Sequence, residues 1–281
     1  MRQNQFGVAK IALGIGALAL AVGAIGCDES PTKPTVNPPS ANSGRIAFVS
    51  DREFFPQIYV MESSGFGAIR LTSEGQNYDP VWSPDGRKIA WIRERSDDIG
   101  LYVMNADGSA QRNLTPGMGA YRPSWSPDSR KIAFSAGAQT GGFTSSQVFA
   151  VNVDGSELTR LTRTAQGSYA AKWSPDGSRI AYLSSPTMSS NQDVYVMNAD
   201  GSDPVNLTGT APNLGNRDPD WAPDGTRIVY TSWRDGNAEL YLVNVDGSGT
   251  ARLTNNMVSD EGAVWSPRGD VIAFFRYPRI W

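Results

Sequence analysis

From Arg45 onward, apolar residues come in short β-prone bursts separated by polar turns rich in Gly, Pro, Asn and Asp. The unit around Trp82 shows the pattern. Pro80-Val81-Trp82-Ser83 is a short strand, and Pro84-Asp85-Gly86 is a tight turn in which Pro fixes φ and Gly accepts a positive one. Lys88 to Ile92 alternates as a second strand, and Leu101-Tyr102-Val103-Met104 is a third. Asn105-Ala106-Asp107-Gly108 predicts a second tight turn, and Arg112-Asn113-Leu114-Thr115 is a fourth, more polar strand. The second strand returns as Ile46-Ala47-Phe48, Ile132-Ala133-Phe134, Ile180-Ala181-Tyr182, Ile228-Val229-Tyr230 and Ile272-Ala273-Phe274. The third and fourth return with it, the latter as Arg70-Leu71-Thr72, Arg160-Leu161-Thr162, Asn206-Leu207-Thr208 and Arg252-Leu253-Thr254.

The phrase Trp-Ser-Pro or Trp-Ala-Pro starts at Trp82, Trp125, Trp173, Trp221 and Trp265, at gaps of 43, 48, 48 and 44 residues. Four short antiparallel strands at this period predict an all-β fold, a β-propeller of four-stranded blades. One blade cannot bury both its faces, so each Trp is expected to wedge between neighbouring blades. Six copies of the second strand stand against five of the others. Six blades are favoured, the first without its Trp strand and the last incomplete; five blades with a spare strand is the alternative.

Trp-Ser-Pro-Asp-Gly-x-x-Ile-Ala-Phe, then Ile-Tyr-Val-Met-Asn-x-Asp-Gly, then Arg-Leu-Thr resembles the WD40-like repeat of TolB-type β-propellers, over residues 44–281. That resemblance implies a non-enzymatic protein-binding scaffold of the cell envelope, with a peptidoglycan-associated lipoprotein as one possible class of partner. The small α/β domain that precedes the propeller in TolB has no counterpart here.

Residues 1–26 read as an export signal. Arg2 and Lys10 precede an apolar run from Ile11 to Ile25, too short at ~1.5 Å per residue to span a hydrocarbon core of ~30 Å. The run ends Ala24-Ile25-Gly26-Cys27, which resembles a bacterial lipoprotein signal and makes Cys27, the single cysteine, the expected lipidation site. Residues 27–43, with four prolines, read as an extended tether to the membrane. The propeller is assigned to 44–281, and which membrane holds the lipid is open.

Composition narrows the chemistry. The chain has no histidine, which excludes Ser-His-Asp and Cys-His catalysis and histidine-bound metal. The net charge of −3 argues against nucleic acid as a partner. No Gly-rich phosphate loop appears, and no cofactor or metal is implied. The Asn-x-Asp-Gly-Ser turns lack the further acidic ligands of a calcium loop. Carboxylates remain. A carbohydrate-binding or carboxylate-based carbohydrate-active propeller is therefore the alternative to a binding scaffold.

Function is sought in what does not repeat. Both kinds of tight turn fall on one face of the disc, and the varying loops fall on the other. Four residues before each Trp stand Tyr78, Tyr121, Tyr169, Arg217 and Glu261; one step on come Asp79, Arg122, Ala170, Asp218 and Gly262. These positions lead into the innermost strands and are expected to ring the mouth of the central channel, where Tyr78, Asp79, Tyr121, Arg122, Tyr169, Arg217, Asp218 and Glu261 form the candidate partner site. The competing reading packs the tyrosines between blades. Phe54, Phe55, Phe143 and Trp233, on the loops between second and third strands, are candidate interface anchors or caps on the core.

Overall fold

In the computed structural model, the described residues are 11–13, 44–96, 98–137, 146–165, 167–185, 191–209 and 215–277. They form six antiparallel sheets, five of four strands and one of two. Blade one holds β1 (Ile11–Leu13), β2 (Arg45–Ser50), β3 (Gln57–Glu62) and β4 (Ile69–Arg70). Blade two holds β5 (Gln76–Trp82), β6 (Lys88–Glu94), β7 (Gly100–Asn105) and β8 (Arg112–Asn113). Blade three holds β9 (Gly119–Trp125), β10 (Lys131–Gly137), β11 (Ser146–Asn152) and β12 (Thr159–Arg160). Blade four holds β13 (Ser168–Trp173), β14 (Arg179–Ser184), β15 (Asp193–Asn198) and β16 (Val205–Asn206). Blade five holds β17 (Asn216–Trp221), β18 (Arg227–Ser232), β19 (Glu239–Asn244) and β20 (Ala251–Arg252). Blade six is the hairpin of β21 (Ser259–Trp265) and β22 (Ile272–Tyr277).

Strand alternation supplies each blade with two apolar faces. In β6, Ile89 and Trp91 pack with Ala47, Ile58 and Val60 of blade one, while Ala90 and Ile92 pack with Ile132 and Phe134 of blade three. The same interleaving joins blades three and four, four and five, and five and six. The core is thus a series of layers, each shared by two blades. Within a blade, second and third strands are locked by one aromatic pair in register: Phe48 with Tyr59, Trp91 with Tyr102, Phe134 with Phe149, Tyr182 with Tyr195 and Tyr230 with Tyr241. Their ring centroids lie 5.2–5.8 Å apart, the range in which such pairs attract.

The fourth strand is shorter than the sequence predicts because its ladder ends on a half-made pair: the motif's Leu N–H still donates to the third strand, as Leu71 to Ile58 O and Leu114 to Leu101 O at 2.8 Å, but the Thr hydroxyl takes the return bond. Leu114, Leu161 and Leu207 are buried, and Leu71 packs against the first shared layer. The Thr hydroxyl accepts the backbone N–H at the start of the third strand in all five blades: Thr72 from Ile58, Thr115 from Leu101, Thr162 from Val148, Thr208 from Val194 and Thr254 from Leu240.

The tryptophans act as expected, with a difference between them. Trp125 and Trp221 are buried, and their indole N–H groups donate to Val81 O and Lys172 O of the preceding blade at 3.0 Å each. Trp82, Trp173 and Trp265 pack against shared layers but are only half-buried. Arg45 and Arg227 lie over the rings of Trp82 and Trp265.

Blade one draws its innermost strand from the apolar N-terminal run, since Ile11–Leu13 pairs with β2 where the other blades place their Trp strand. Among the described residues no apolar layer joins blade six to blade one.

The Thr latch sets a quantitative expectation. Thr115→Val keeps the shape of a nearly inaccessible side chain but orphans the Leu101 N–H. Denaturant unfolding should show a loss of about 1–3 kcal/mol, the cost of an unsatisfied buried donor.

Candidate functional site

The innermost strands begin earlier than the sequence suggests, so the candidate mouth residues lie inside them and not ahead of them. Each of the five Trp-bearing strands carries a register shift just before its Trp. In each, one residue is left-handed: Asp79 (φ 49°), Arg122 (53°), Ala170 (56°), Asp218 (50°) and Gly262 (66°). These are β-bulges, which bend a strand and re-aim its side chains. Only glycine adopts this φ without strain, so four of the five blades hold a strained residue here.

The bulges bring together residues from separate blades. Arg122 Nη1 of blade three lies 3.7 Å from Asp218 Oδ1 of blade five, and blade four intervenes between them in the ring. That contact can only be made across the central space. The Arg122 backbone N–H also points at Asp79 Oδ2 of blade two, at 3.4 Å. The Arg122 guanidinium sits 5.9 Å from the ring centre of Tyr169, and that of Arg217 sits 5.1 Å from Trp233. Trp233 thereby joins the mouth cluster, although the sequence places it on a separate loop.

Burial pushes the Tyr78, Tyr121 and Tyr169 phenols above their ordinary value. Desolvation raises the Glu261 carboxyl as well, opposed by Arg217 and reinforced by Asp218. Tyr169 packs on the layer between blades four and five, which matches the structural reading for that residue, while Tyr78 and Tyr121 belong to none of the shared layers.

A second tier, missed in the sequence, lies one residue before Trp173 and Trp221. Lys172 is exposed; Asp220 is half-buried and accepts the Trp265 N–H at 2.9 Å. Desolvation raises the Asp220 carboxyl, and Lys172 opposes the shift. The signal was a Lys and an Asp at one repeat position where blades two and six carry Val.

On the loops, Phe54 is 95% exposed with a φ of 82°, and Phe55 is 60% exposed. A solvent-facing aromatic in a left-handed conformation does not cap a core. Phe143 and Cys27 lie outside the described residues. On the opposite face, the Asn-x-Asp-Gly carboxylates of Asp107, Asp154, Asp200 and Asp246 accept the N–H and hydroxyl of the Ser two residues on. Turn closure therefore occupies one oxygen, Oδ1, of each carboxylate. Among the described residues no group of three or more acidic or Cys side chains is placed to hold a metal ion. No helix there is long and apolar enough to cross a membrane.

Two stability measurements probe this geometry. Asp218→Gly should leave stability within about 1 kcal/mol of wild type, since relief of the left-handed strain offsets the lost rim contact, whereas Asp218→Val should cost about 1–3 kcal/mol. Asp220→Asn should stabilise the fold at neutral pH by removing a desolvated charge. A carboxyl raised in the folded state contributes stability at low pH that is lost as pH rises through its folded pKa. The advantage of Asn should therefore shrink on acidification and close below the ordinary value of 3.8.

Known proteins share this architecture. Residues 30–163, 73–190 and 163–279 match the family described as TolB beta propeller domain. TolB from Acinetobacter baumannii superposes with a TM-score of 0.64 at 20% identity, over 83% of this chain and 58% of that one. The chain thus spans less than two thirds of that protein. The putative TolB from Agrobacterium tumefaciens gives 0.68 at 21% identity, over 84% and 87%. Oligogalacturonate lyase from Vibrio parahaemolyticus gives 0.65 at 15% identity, over 81% and 66%. At these identities the likeness is one of fold. No curated protein matches. With the family match running along the same repeat that builds the six sheets, the chain belongs to the TolB β-propeller domain family.

Proposed function

We propose that this protein is a non-enzymatic binding scaffold of the cell envelope that holds a protein partner at the mouth of its central channel. The observation that carries the reading is the contact of Arg122 with Asp218 across that channel, at strained bulge positions where blade six carries glycine. Strain of this kind persists where rigid surroundings over-determine it, and it gathers at functional positions. The mouth offers both signs of charge, aromatic faces and Trp233 close together. That mixture suits a peptide end or loop. In this reading residues 1–26 are an export signal whose cleavage takes β1 away from blade one, Cys27 carries the lipid, and residues 27–43 hold the disc away from the membrane. A peptidoglycan-associated lipoprotein is the partner class implied by likeness to TolB.

A second reading has one observation in its favour. The Glu261 carboxyl, raised by desolvation, lies within electrostatic reach of the Asp218 carboxylate, and a carboxylate-based carbohydrate-active site needs two such groups; the fold is also shared with a lyase.

Calorimetric titration of the propeller with the soluble domain of a peptidoglycan-associated lipoprotein tests the first reading. Arg122→Ala with Asp218→Ala should weaken binding at least tenfold, about 1.4 kcal/mol. The melting temperature should barely move, because an exposed ion pair is worth roughly 0–1 kcal/mol. Tyr78→Ala with Tyr121→Ala should weaken binding too. Glycan turnover abolished by Glu261→Gln and Asp218→Asn would replace the scaffold reading with the second.

A further inference from the structure

On the face that carries the tight turns, one interface between blades departs from the rest. Four interfaces join complete blades. In each, the glycine of the turn between third and fourth strands faces the preceding blade. A Cβ placed on Gly108 or Gly201 would stand 3.1 Å from Leu71 or 2.7 Å from Leu161, whereas one on Gly155 or Gly247 would stand 3.9 Å from Leu114 or Leu207. The two wide interfaces, two–three and four–five, are those in which Trp125 and Trp221 are buried and donate their indole N–H to the preceding blade.

The two wide interfaces then differ from each other. Between blades two and three, two side chains tie the turns together. Ser129 Oγ accepts the Asp85 N–H at 3.1 Å, and the Arg112 guanidinium donates to Val153 O. The Asp154 carboxyl beside it is held below its ordinary value by Ser156 and, after that, by Arg112. Between blades four and five the same repeat positions hold Gly225 and Val205, and neither can make its tie. A cavity of about 390 Å³ lies there, with Asp176, Arg179, Trp221, Gly225, Val245 and Asp246 in its wall. Val245 O, the counterpart of Val153 O, accepts no hydrogen bond from the described residues, and Asp246 uses only Oδ1, in closing its own turn.

Charge changes in the same direction. Arg87, Arg112 and Arg130 of the first interface correspond to Ser178, Val205 and Thr226 of the second, while Asp85 and Asp154 correspond to Asp176 and Asp246. Asp176 is held down to about 2, first by the Ser174 hydroxyl and then by Ser178, so it is ionised at neutral pH. Arg179 is the one cation in the wall, and among the described residues its side chain makes no hydrogen bond, ion pair or ring contact. The groove keeps the acceptors of its twin, and it lacks the arginine that fills them there.

We propose that this groove binds a guanidinium group, presented as an arginine side chain by a partner polypeptide. The guanidinium takes the place that Arg112 fills between blades two and three, donating to Val245 O and to the free oxygen of Asp246. A planar group with five donors suits a carbonyl and a carboxylate held side by side. A polypeptide presents it from outside the groove, as β8 presents Arg112. The site lies on the face opposite the channel mouth and does not depend on it.

The probe is the acetylated, amidated peptide Ala-Ala-Arg-Ala-Ala, titrated into the isotope-labelled whole protein and followed by amide chemical shifts. The shifts should saturate and centre on Val245 and Asp246. The same peptide with citrulline, which keeps the shape and loses the charge, should bind roughly tenfold more weakly, and so should the arginine peptide to Asp246→Asn. Val205→Arg gives blade four the arginine of blade two; it should abolish peptide binding with no fall in melting temperature. Arg179→Ala removes a like charge and should tighten binding. The proposal is overturned if the shifts do not saturate, if they centre on the channel mouth, if citrulline serves as well as arginine, or if Val205→Arg binds the peptide unchanged. Weaker binding by Arg179→Ala would make the groove an anion site and overturn it as well. Saturation by free arginine but not by the peptide would sink the polypeptide as the source.

Discussion

Everything in this structure follows from the two-faced blade. A four-stranded sheet with alternating apolar residues has two surfaces to take out of water and can cover neither by itself. Each shared layer covers one face of each of two blades, as where Trp91 and Tyr102 meet Ile58 and Val60. Burial of a Leu, Ile or Phe side chain is worth about 1.5–3 kcal/mol, so a layer of several apolar groups outweighs any single polar contact. The Thr latch and the aromatic pair are secondary devices that keep each sheet in register so that its two faces present the right residues.

Such a scaffold can carry strain. The layers fix the innermost strands from both sides, and those strands can then hold Asp79, Arg122, Ala170 and Asp218 in a conformation none of them favours. The bulges turn the backbone at the place where the strands approach the axis. The result is a polar, two-signed cluster inside an otherwise regular fold. The opposite face has the reverse character. Its turns are nearly identical from blade to blade, and one oxygen of each carboxylate is committed to closing the turn. Regularity and variation are thus divided between the two kinds of connection by the same chain period.

Much of this was readable from the amino acids. The Trp-Ser-Pro phrase, the Ile-Ala-Phe strand and the Asn-x-Asp-Gly turn set the blade and its strand order, and counting back from each Trp lands on the residues at each bulge. The bulge was not read, because an alternating pattern says which residues share a face and not where the chain slips by one. Its one visible trace is Gly262 at the place filled elsewhere by Asp79, Arg122, Ala170 and Asp218. The Arg122–Asp218 contact was beyond reach for a different reason. Two residues in non-adjacent blades meet only once the ring has curved, and no local pattern encodes that curvature. The pairing of Ile11–Leu13 with β2 was likewise invisible, since that run shares no motif with the Trp strands whose place it takes.

Because stability resides in layers between blades, it must be unevenly spread around the ring. Native-state hydrogen exchange measures this strand by strand. The second strands of blades two to five, β6, β10, β14 and β18, have both faces covered and should exchange only with global unfolding. β22, with one neighbour and an uncovered face among the described residues, should exchange far faster and lose protection at lower denaturant. Protection of β22 equal to that of β6 would mean that a sixth layer covers it, and would contradict an account in which stability rests on the five layers shared among the described residues.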